Sequence, residues 1–562
     1  MPMRWRFRES RLRHVLLCLA CLVLLAPAPL APGPAPGQAA GAGLPAGVRN
    51  ELWRARFRDG LPNTVLVGDV LVVSDGDRFE GRDTATGHVS WTFDASKIDG
   101  YTPPEDRLAV VGDQVVAVAP HETPDESEDP RGDDLLVFDG RTGAVLWNLT
   151  SGFYGFDLPR PYLTYLGVSK GRVLIHLPAL GLVRALDIVT GRRLWETAMP
   201  SGCAGRHGGA AERVVALLVT CGRRTRLEAL DPGSGRLMWS REVFPQGTPL
   251  ITVSGGTVGL GSDASFTVYD TGGRQLYDHM AGQPCGCELV ATATGALIAW
   301  SANFTSSYSL VWEAVNRADG SVTRLSGQAG DLERVMAVNG RLYGVRRLGR
   351  DPLGSVVVTI DPANGRQTPV TGFPAFQEVT DVSEHLVIVN DTSDEDDALL
   401  VAYRTVPAPA DDPGAGVRDG VGRERWPDAC ALLLPAALTA GLRGTRYRSV
   451  ARSAPPELNL TTPTGCDLLP LDDEQPVLAL SVLWVGRTPG EAETVLRVVA
   501  GFLDMKRTIV PGTGERVYVG RQMADFVLLR TGDTVIRLDG AGDRAAALRL
   551  AAGVASTLKA VA

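Results

Sequence analysis

Short apolar runs alternate with turn-forming residues over most of this chain. Asp69–Val73, Gln114–Val118 and Arg172–Ile175 each hold three or four consecutive apolar positions. A second, mostly apolar run follows the latter two, at Leu135–Phe138 and Val183–Leu186, and each of these runs ends directly before an aspartate. Short runs rich in β-branched residues and bounded by Gly and Asp predict antiparallel strands rather than helices.

The turn that follows the second run is the most regular feature of the sequence. It reads Asp-x-x-(Thr)-Gly-x-x-x-Trp, and its copies recur every 39 to 56 residues. We expect Asp to cap the turn, Gly to supply a positive φ, and Trp to cover the seam with a neighbouring sheet. A period near 45 residues built from short strands is typical of propeller blades, which stack because one blade alone cannot bury its faces. The full copies are Asp83-Gly87-Trp91, Asp139-Gly143-Trp147, Asp187-Gly191-Trp195 and Asp231-Gly235-Trp239, and the decayed copies are Asp270-Gly273-Tyr277, Asn316-Gly320-Arg324 and Asp361-Gly365-Pro369.

Counting these units predicts an eight-bladed β-propeller over residues 47–406, with seven blades as the alternative. Seven units have their own outer strand, but the strands predicted at His385–Val389 and Ala398–Tyr403 have none. The segment Gly47–Trp53 repeats the Gly-to-Trp arm with two extra positions. We therefore expect Trp53 and its strand to complete the last blade, which would close the ring and remove an exposed edge.

The repeat resembles that of the PQQ-like, quinoprotein-type β-propeller family, and the resemblance covers residues 47–406. The family includes quinoprotein dehydrogenases, an outer-membrane assembly lipoprotein, and sensor or scaffold proteins of actinobacteria. Resemblance to the dehydrogenases would imply a vicinal Cys-Cys disulfide, bound calcium and a catalytic Asp. This chain has no Cys-Cys dipeptide, and its nearest equivalent is Cys285-Gly-Cys287. The resemblance thus indicates a non-enzymatic, actinobacterial-type member, with no catalytic residue and with neither PQQ nor Ca²⁺ expected.

The N-terminus predicts export. Residues 1–31 combine five arginines with the apolar run Val15–Ala26. This pattern is typical of a signal peptide or, as the alternative, an uncleaved membrane anchor. Residues 32–46 form a Pro/Ala/Gly-rich spacer. We expect an extracytoplasmic protein that is secreted or held at the membrane only through this segment. A net charge of −8 and the lack of a basic stripe argue against a nucleic-acid partner.

The C-terminal part predicts a different architecture. Residues 407–425 form a Pro/Gly/charged linker, and residues 426–562 alternate helix-like and strand-like patterns, which predicts a small α+β module. Helices are expected at 428–438, 490–503 and 543–560. Cys430 and Cys466 are expected to pair, whereas the pairing of Cys203, Cys221, Cys285 and Cys287 stays open. The segment from Asp428 onwards weakly resembles the start of small secreted actinobacterial lipoprotein-type domains.

One candidate binding surface is acidic. Two hairpins between second and third strands carry acidic insertions, and the hairpin of the blade between them carries two more aspartates. If the ring closes as predicted, these loops share one face and could attract a basic partner or a divalent cation. The residues of this acidic face are Asp75, Asp77, Asp125, Glu126, Glu128, Asp129, Asp394, Glu395, Asp396 and Asp397.

The sequence therefore predicts an exported propeller that binds or scaffolds at the cell envelope, with an envelope protein or extracellular ligand as partner. The alternatives are an extracellular small-ligand sensor and a degenerate PQQ-dependent dehydrogenase.

Overall fold

A computed structural model describes most of residues 51–561, which lie within one compact unit, Arg49–Ala562. The predicted signal segment and spacer, residues 1–46, lie outside the described residues. The described ranges are 51–57, 62–98, 107–120, 133–149, 163–244, 249–261, 265–280, 288–291, 295–304, 307–324, 332–338, 341–348, 354–362, 364–374, 377–391, 398–405, 411–412, 414–433, 435, 438, 447–471, 477–503, 505–509, 516–520, 527–540 and 544–561.

The described part of residues 51–404 is built from meanders of four antiparallel strands, which makes it mainly β and propeller-like. Its first strand is β1 (Glu51–Phe57). Meander 1 is β2 Asn63–Val67, β3 Val70–Asp75, β4 Arg78–Asp83 and β5 Val89–Asp94; meander 2 is β6 Arg107–Val111, β7 Gln114–Pro120, β8 Asp133–Asp139 and β9 Val145–Leu149. Meander 3 is β10 Thr164–Ser169, β11 Arg172–Leu177, β12 Leu182–Asp187 and β13 Arg193–Ala198; meander 4 is β14 Cys203–Ala211, β15 Val214–Cys221, β16 Arg224–Leu230 and β17 Leu237–Val243. Meander 5 is β18 Leu250–Ser254, β19 Thr257–Gly261, β20 Ser265–Asp270 and β21 Gln275–Met280; meander 6 is β22 Glu288–Ala291, β23 Gly295–Phe304, β24 Ser307–Asn316 and β25 Val322–Arg324. Meander 7 is β26 Leu332–Val338, β27 Arg341–Arg347, β28 Gly354–Ile360 and β29 Gln367–Pro374; meander 8 is β30 Gln377–Val382, β31 Leu386–Asp391 and β32 Ala398–Arg404, together with β1.

Meanders 3 and 4 share one sheet, which the sequence did not predict. Among the described residues six meanders are separate four-stranded sheets, while meanders 3 and 4 form one eight-stranded sheet. Their first strands, β10 and β14, pair in parallel at Gly167 and Ala210. Gly167 has φ +145°, and a β-carbon there would lie 2.2 Å from the Ala210 carbonyl oxygen. Because glycine has no side chain, the two backbones can approach and pair at this point. The expectation of eight separate sheets is corrected accordingly.

The first described strand completes the last meander, as predicted. β1 pairs antiparallel with β32, so that Trp53 lies opposite Ala402 and Phe57 opposite Ala398. The first strands of successive meanders lie side by side from β2 through β26, and β2 also contacts β30. A shared core of Phe373, Tyr403 and their neighbours joins meanders 7 and 8. The first described strand, β1, is therefore held in the sheet that contains β30–β32.

The described residues of the C-terminal part include one seven-stranded sheet and two long α-helices. The sheet order is β33-β34-β35-β39-β38-β37-β36, and both helices pack on β38. The elements are β33 Tyr447–Arg452, β34 Gly465–Pro470, β35 Leu478–Val485, α1 Pro489–Phe502, β36 Met505–Ile509, β37 Arg516–Gly520, β38 Val527–Thr531, β39 Thr534–Asp539 and α2 Arg544–Val561. The two later predicted helices are confirmed within one residue at each end. Among the described residues, no helix is both long and apolar enough to pass through a bilayer.

The helix predicted from residue 428 is wrong at its start. The Asp428 carboxylate accepts the backbone N–H groups of Cys430 and Ala431, and a short 3₁₀ turn follows over Cys430–Leu432. A disulfide then fixes Cys430 to Cys466 of β34. Local capping and this cross-link hold the start of the segment in a tight turn. Pro435 and Leu438, the described residues in the second half of the predicted span, are α-helical, so the prediction holds at those two positions.

The segment predicted as a linker is packed against both parts of the chain. Arg418 is fully buried, donating to the carbonyls of Val421 and Leu458 and pairing with Asp412. The Gly372 N–H of β29 donates to the Gly416 carbonyl at 3.3 Å. The described residues 414–421 therefore pack against both parts of the chain, whereas residues 423–425 are exposed. The exact domain bounds stay predictions.

The C-terminal module shares a core with meanders 6 and 7. A β-carbon at Gly354 would lie 2.9 Å from the Trp484 ring, so the ring packs directly on the β28 backbone. Arg346 of β27 and Glu457 of the module form a largely buried ion pair. Leu348 and Trp484 belong to one continuous buried cluster. This packing makes the module a firmly docked part of the same unit.

Candidate binding sites

The aspartates of the repeat cap turns. In the first copy, one carboxylate oxygen of Asp83 accepts the Thr86 N–H at 2.8 Å and the Thr86 hydroxyl at 2.7 Å. The hydrogen bonds from Thr86 lower the pKa of Asp83 below its ordinary value. Asp139, Asp187 and Asp231 make the same contacts with the Thr or Ser three residues later. The repeated carboxylates therefore hold the turns.

The tryptophans of the repeat close the seams between meanders, as predicted. The Trp53 indole N–H donates to the Thr84 carbonyl of meander 1 at 2.8 Å, and the Trp91 indole donates to the Gly140 carbonyl of meander 2 at 3.2 Å. The glycine of the next turn lies under each ring: a β-carbon at Gly87 would lie 2.6 Å from Trp53. The same arrangement recurs where Trp147, Trp195 and Trp239 cover Gly191, Gly235 and Gly273.

The decayed copies replace this contact with others that the repeat pattern does not reveal. The Tyr277 hydroxyl donates to the Glu313 carboxylate at 2.5 Å. Trp312, which lies outside the repeat spacing, is fully buried, and its indole donates to the Leu332 carbonyl at 2.9 Å. The seams around meander 6 therefore depend on side chains that sequence reasoning missed.

A polar cluster, here called the axial cluster, lies on first strands of three meanders. It consists of Thr64 of β2, Arg334 of β26 and Asp381 of β30. The Thr64 hydroxyl donates to the Asp381 carboxylate, and Arg334 donates to the Val379 carbonyl at 2.7 Å. Burial raises the pKa of Asp381 to about 7, although the Thr64 hydrogen bond and the charge of Arg334 act in the opposite direction. No sequence motif singled out these three residues.

A cavity of about 520 Å³ lies at the seam between meanders 8 and 1. Its size is within the range of small-ligand pockets. Leucines form its apolar wall, and charged and hydroxyl side chains lie around them. The lining residues, together called the seam cavity, are Leu52, Leu66, Gly68, Asp69, Thr84, Ala85, Ser383, His385, Leu386, Arg404 and Thr405.

The predicted acidic face is described at only two of its ten positions. Asp75 ends β3 opposite Arg78, and the Asp77 carbonyl accepts the Ala95 N–H at 2.7 Å, so both lie at the β3–β4 hairpin as predicted. Asp125, Glu126, Glu128, Asp129 and Asp394–Asp397 lie outside the described residues. The shared acidic face therefore stays a prediction.

Two disulfides are described. Cys430 pairs with Cys466, as predicted, and Cys203 pairs with Cys221, which the sequence left open. Cys203 and Cys221 are directly opposite each other on β14 and β15. Cys285 and Cys287 lie outside the described residues. Within the described part of the chain, no group of three or more His, Cys, Asp or Glu side chains is placed to hold a metal ion.

Comparison with known proteins identifies the repeat. The family model described as outer membrane protein assembly factor BamB matches residues 49–153 and 179–406. None of the curated proteins matches the chain significantly.

Similar solved structures include propellers of diverse function. BamB from Moraxella catarrhalis is 16% identical, with 63% of this chain and 100% of that chain covered and a TM-score of 0.35. Quinohemoprotein alcohol dehydrogenase from Comamonas testosteroni is 14% identical, with 64% and 76% covered and a TM-score of 0.36. The computationally designed Ika8 protein is 17% identical, with 64% and 100% covered and a TM-score of 0.42. Similarities this remote carry no argument about function. The family match extends over more than half of the sequence, and the chain therefore belongs to the PQQ-like repeat family described as outer membrane protein assembly factor BamB.

Proposed function

We propose that this protein is an exported propeller scaffold at the cell envelope, which recognises a protein or a ligand rather than transforming a substrate. The proposal rests on one observation: the repeated side chains stabilise the fold. Its aspartates cap turns, and five tryptophans seal seams against the next glycine. The family's description as an assembly factor supports an envelope protein as the partner.

We further propose that the eight meanders are the blades of one closed ring. The side-by-side first strands, the Trp53 contact with meander 1 and the core shared by meanders 7 and 8 support this count. A closed ring leaves no unpaired edge between the first and last blades, so it presents rigid loop-lined faces. Such faces suit recognition because rigid scaffolds position binding loops.

Export is tested by fusing residues 1–48 to alkaline phosphatase, which folds actively only after translocation. We expect an active fusion because the cationic start and the apolar run Val15–Ala26 form an export signal. The matched variant Leu16→Arg/Leu17→Arg keeps the length but interrupts the apolar run, and it should lose the activity. A wild-type fusion that stays inactive while the fused protein accumulates would remove the envelope assignment.

The binding proposal is tested by substituting residues of the acidic face and measuring the capture of a partner. Cross-linking of the full chain in envelopes, followed by mass spectrometry, should capture a defined partner. Replacing Asp394, Asp396 and Asp397 with Lys should reduce that capture. The matched control replaces Asp231 with Asn, because Asp231 caps a turn elsewhere on the ring. Equal capture by both variants and the wild-type chain would refute the acidic face as the recognition surface.

The second candidate function is an extracellular small-ligand sensor, which the seam cavity favours. The dehydrogenase alternative has its own test. Purified protein is mixed with PQQ and Ca²⁺, its absorbance is recorded, and dye-linked oxidation of alcohols is measured. We expect neither a bound-cofactor spectrum nor turnover. A stoichiometric spectrum with alcohol-dependent dye reduction would overturn the proposal of recognition without catalysis.

A further inference from the structure

The seam cavity follows from a break in the repeat. In meanders 1 to 4 the third and fourth strands are joined by the Asp-to-Gly turn, whereas in meander 8 these strands, β32 and β1, come from opposite ends of the propeller chain. The Thr405 N–H still donates to the His385 carbonyl at 3.0 Å, as Thr84 donates to Asp69 in meander 1. Past this bond the chain does not turn directly into β1. Leu52, Arg404 and Thr405 line the cavity at this break.

The Asp-to-Gly turn of meander 1 also leaves the seam cavity unfilled. In meander 2 the residue two positions after the turn aspartate is Arg141, whose guanidinium lies against Gly68 of meander 1 and donates to Asp113 at 2.8 Å. The same position in meander 1 is Ala85. Its methyl group is too short to reach across in the same way, so the seam between meanders 8 and 1 lacks the arginine that fills the next seam. Ala85 itself lines the cavity.

The side chains around the cavity divide into an apolar wall and a polar rim that includes one guanidinium group. Leu52, Leu66 and Leu386 supply the wall, and Leu386 is almost fully buried. Arg404 and His385 are exposed at the rim. Among the described residues, Arg404 has no carboxylate within ion-pair distance. Asp69 also lines the cavity, but Arg141 lies 3.9 Å from it and offsets its charge.

From this chemistry we propose that the seam cavity binds a carboxylate that carries an aliphatic group. The carboxylate pairs with the Arg404 guanidinium, which is suited to planar anions, and the aliphatic part packs against Leu52, Leu66 and Leu386. Removing that apolar surface from water supplies the rest of the affinity. A fatty carboxylate and a peptide C-terminus that ends in an aliphatic residue share this chemistry. The inference is independent of export and of the envelope partner, so failure of either of those proposals leaves it intact.

The test uses the full chain and four probes in isothermal titration calorimetry. Octanoate and N-acetyl-leucine carry the proposed chemistry, while octanamide and N-acetyl-leucinamide are the uncharged controls. We expect saturable 1:1 binding of at least one carboxylate and binding weaker by roughly tenfold or more for its amide, because a charge-assisted hydrogen bond is lost. Tighter binding of N-acetyl-leucine would indicate a peptide terminus as the source, and tighter binding of octanoate would indicate a lipid-derived acid.

Three variants locate the site. Arg404→Gln should weaken carboxylate binding roughly tenfold and leave amide binding unchanged, since only the charge is removed. Ala85→Trp should abolish binding, because an indole placed at an exposed turn position fills the cavity. Arg192→Gln removes an exposed arginine from the equivalent turn of meander 3 and should bind like the wild-type chain. Unchanged melting temperatures verify that the variants are folded.

Three outcomes would overturn the proposal. They are equal affinity for acid and amide, unchanged affinity in folded Arg404→Gln, and no saturable binding of either carboxylate by the wild-type chain.

Discussion

The packing of Trp53 on Gly87 gives a quantitative prediction about the closure of the ring. Gly87 has φ +72°, and a β-carbon there would lie 2.6 Å from two atoms of the Trp53 ring. Gly87→Ala therefore introduces two separate costs. The left-handed backbone costs an alanine about 1–2 kcal/mol, and the overlap with the indole costs a further 1–3 kcal/mol or so. In the wild-type background the sum is about 2–5 kcal/mol.

Removing the tryptophan separates these two costs. Trp53→Ala should by itself cost about 3–5 kcal/mol, because the buried ring is lost. In that background Gly87→Ala no longer overlaps with an indole, so it should cost only the backbone part, about 1–2 kcal/mol. The double mutant should thus be more stable than the sum of the single effects predicts, by about 1–3 kcal/mol.

Gly76 supplies the matched control. It has φ +55° at the β3–β4 hairpin, and nothing lies within 4 Å of a β-carbon there. Gly76→Ala should cost about 1–2 kcal/mol with or without Trp53. Urea titration measures the free energies, and native-state hydrogen exchange localises the loss to β1 and β32. An equal cost of Gly87→Ala in the two backgrounds would refute the packing and, with it, the closure of meander 8 onto meander 1.

Three further predictions concern the axial cluster and the C-terminal module. Burial raises the pKa of Asp381 to about 7, so between about pH 4 and 7 the unfolded chain releases a proton that the folded protein retains. The free energy of unfolding should therefore fall as pH rises through this window, by at most about 4 kcal/mol. A plot of melting temperature against pH should be less steep for Asp381→Asn than for the wild-type chain, and identical plots would contradict the burial of this carboxyl. Arg346→Gln leaves Glu457 in a largely buried site without its partner, which should cost about 3 kcal/mol in urea titration, and adding Glu457→Gln should restore part of the loss; a further loss in the double variant would argue against the ion pair. Replacing Cys430 and Cys466 with Ser opens a loop with a sequence separation of 36 and should cost about 3–4 kcal/mol; an unchanged transition of the module would show that the cross-link has no role in its stability.

The features that the sequence predicts well are local or periodic. The turn of Asp83 is fixed by hydrogen bonds within four residues, so its pattern can be read directly from the chain. Trp53 could be assigned to the last meander because its Gly-to-Trp arm resembles the others, with two extra positions, and because the last meander lacked an outer strand of its own. The two long helices are confirmed for the same reason, since their apolar residues recur at helical spacing.

The features that the sequence misses depend on contacts between distant residues. β33 and β36 are short edge strands with mostly exposed side chains, so they lack an apolar pattern. Arg418 lies in a Pro/Gly/charged segment typical of a linker, and only the surrounding fold buries it. The axial cluster and the seam cavity combine residues from strands more than 300 positions apart. Such sites follow from the ring topology rather than from any motif.

The pairing of β1 with β32 can be measured directly by disulfide cross-linking. Arg56 and Leu399 are directly opposite partners in this pair. In Arg56→Cys/Leu399→Cys, mild oxidation and peptide mapping should recover a bond between positions 56 and 399, because opposite residues bring their β-carbons within bonding reach. The control Arg56→Cys/Tyr403→Cys places the second cysteine four residues along β32 and should not cross-link. A closed ring predicts an efficient disulfide between positions 56 and 399 and none between positions 56 and 403. No disulfide in the folded protein, or equal disulfide formation in both variants, would contradict it.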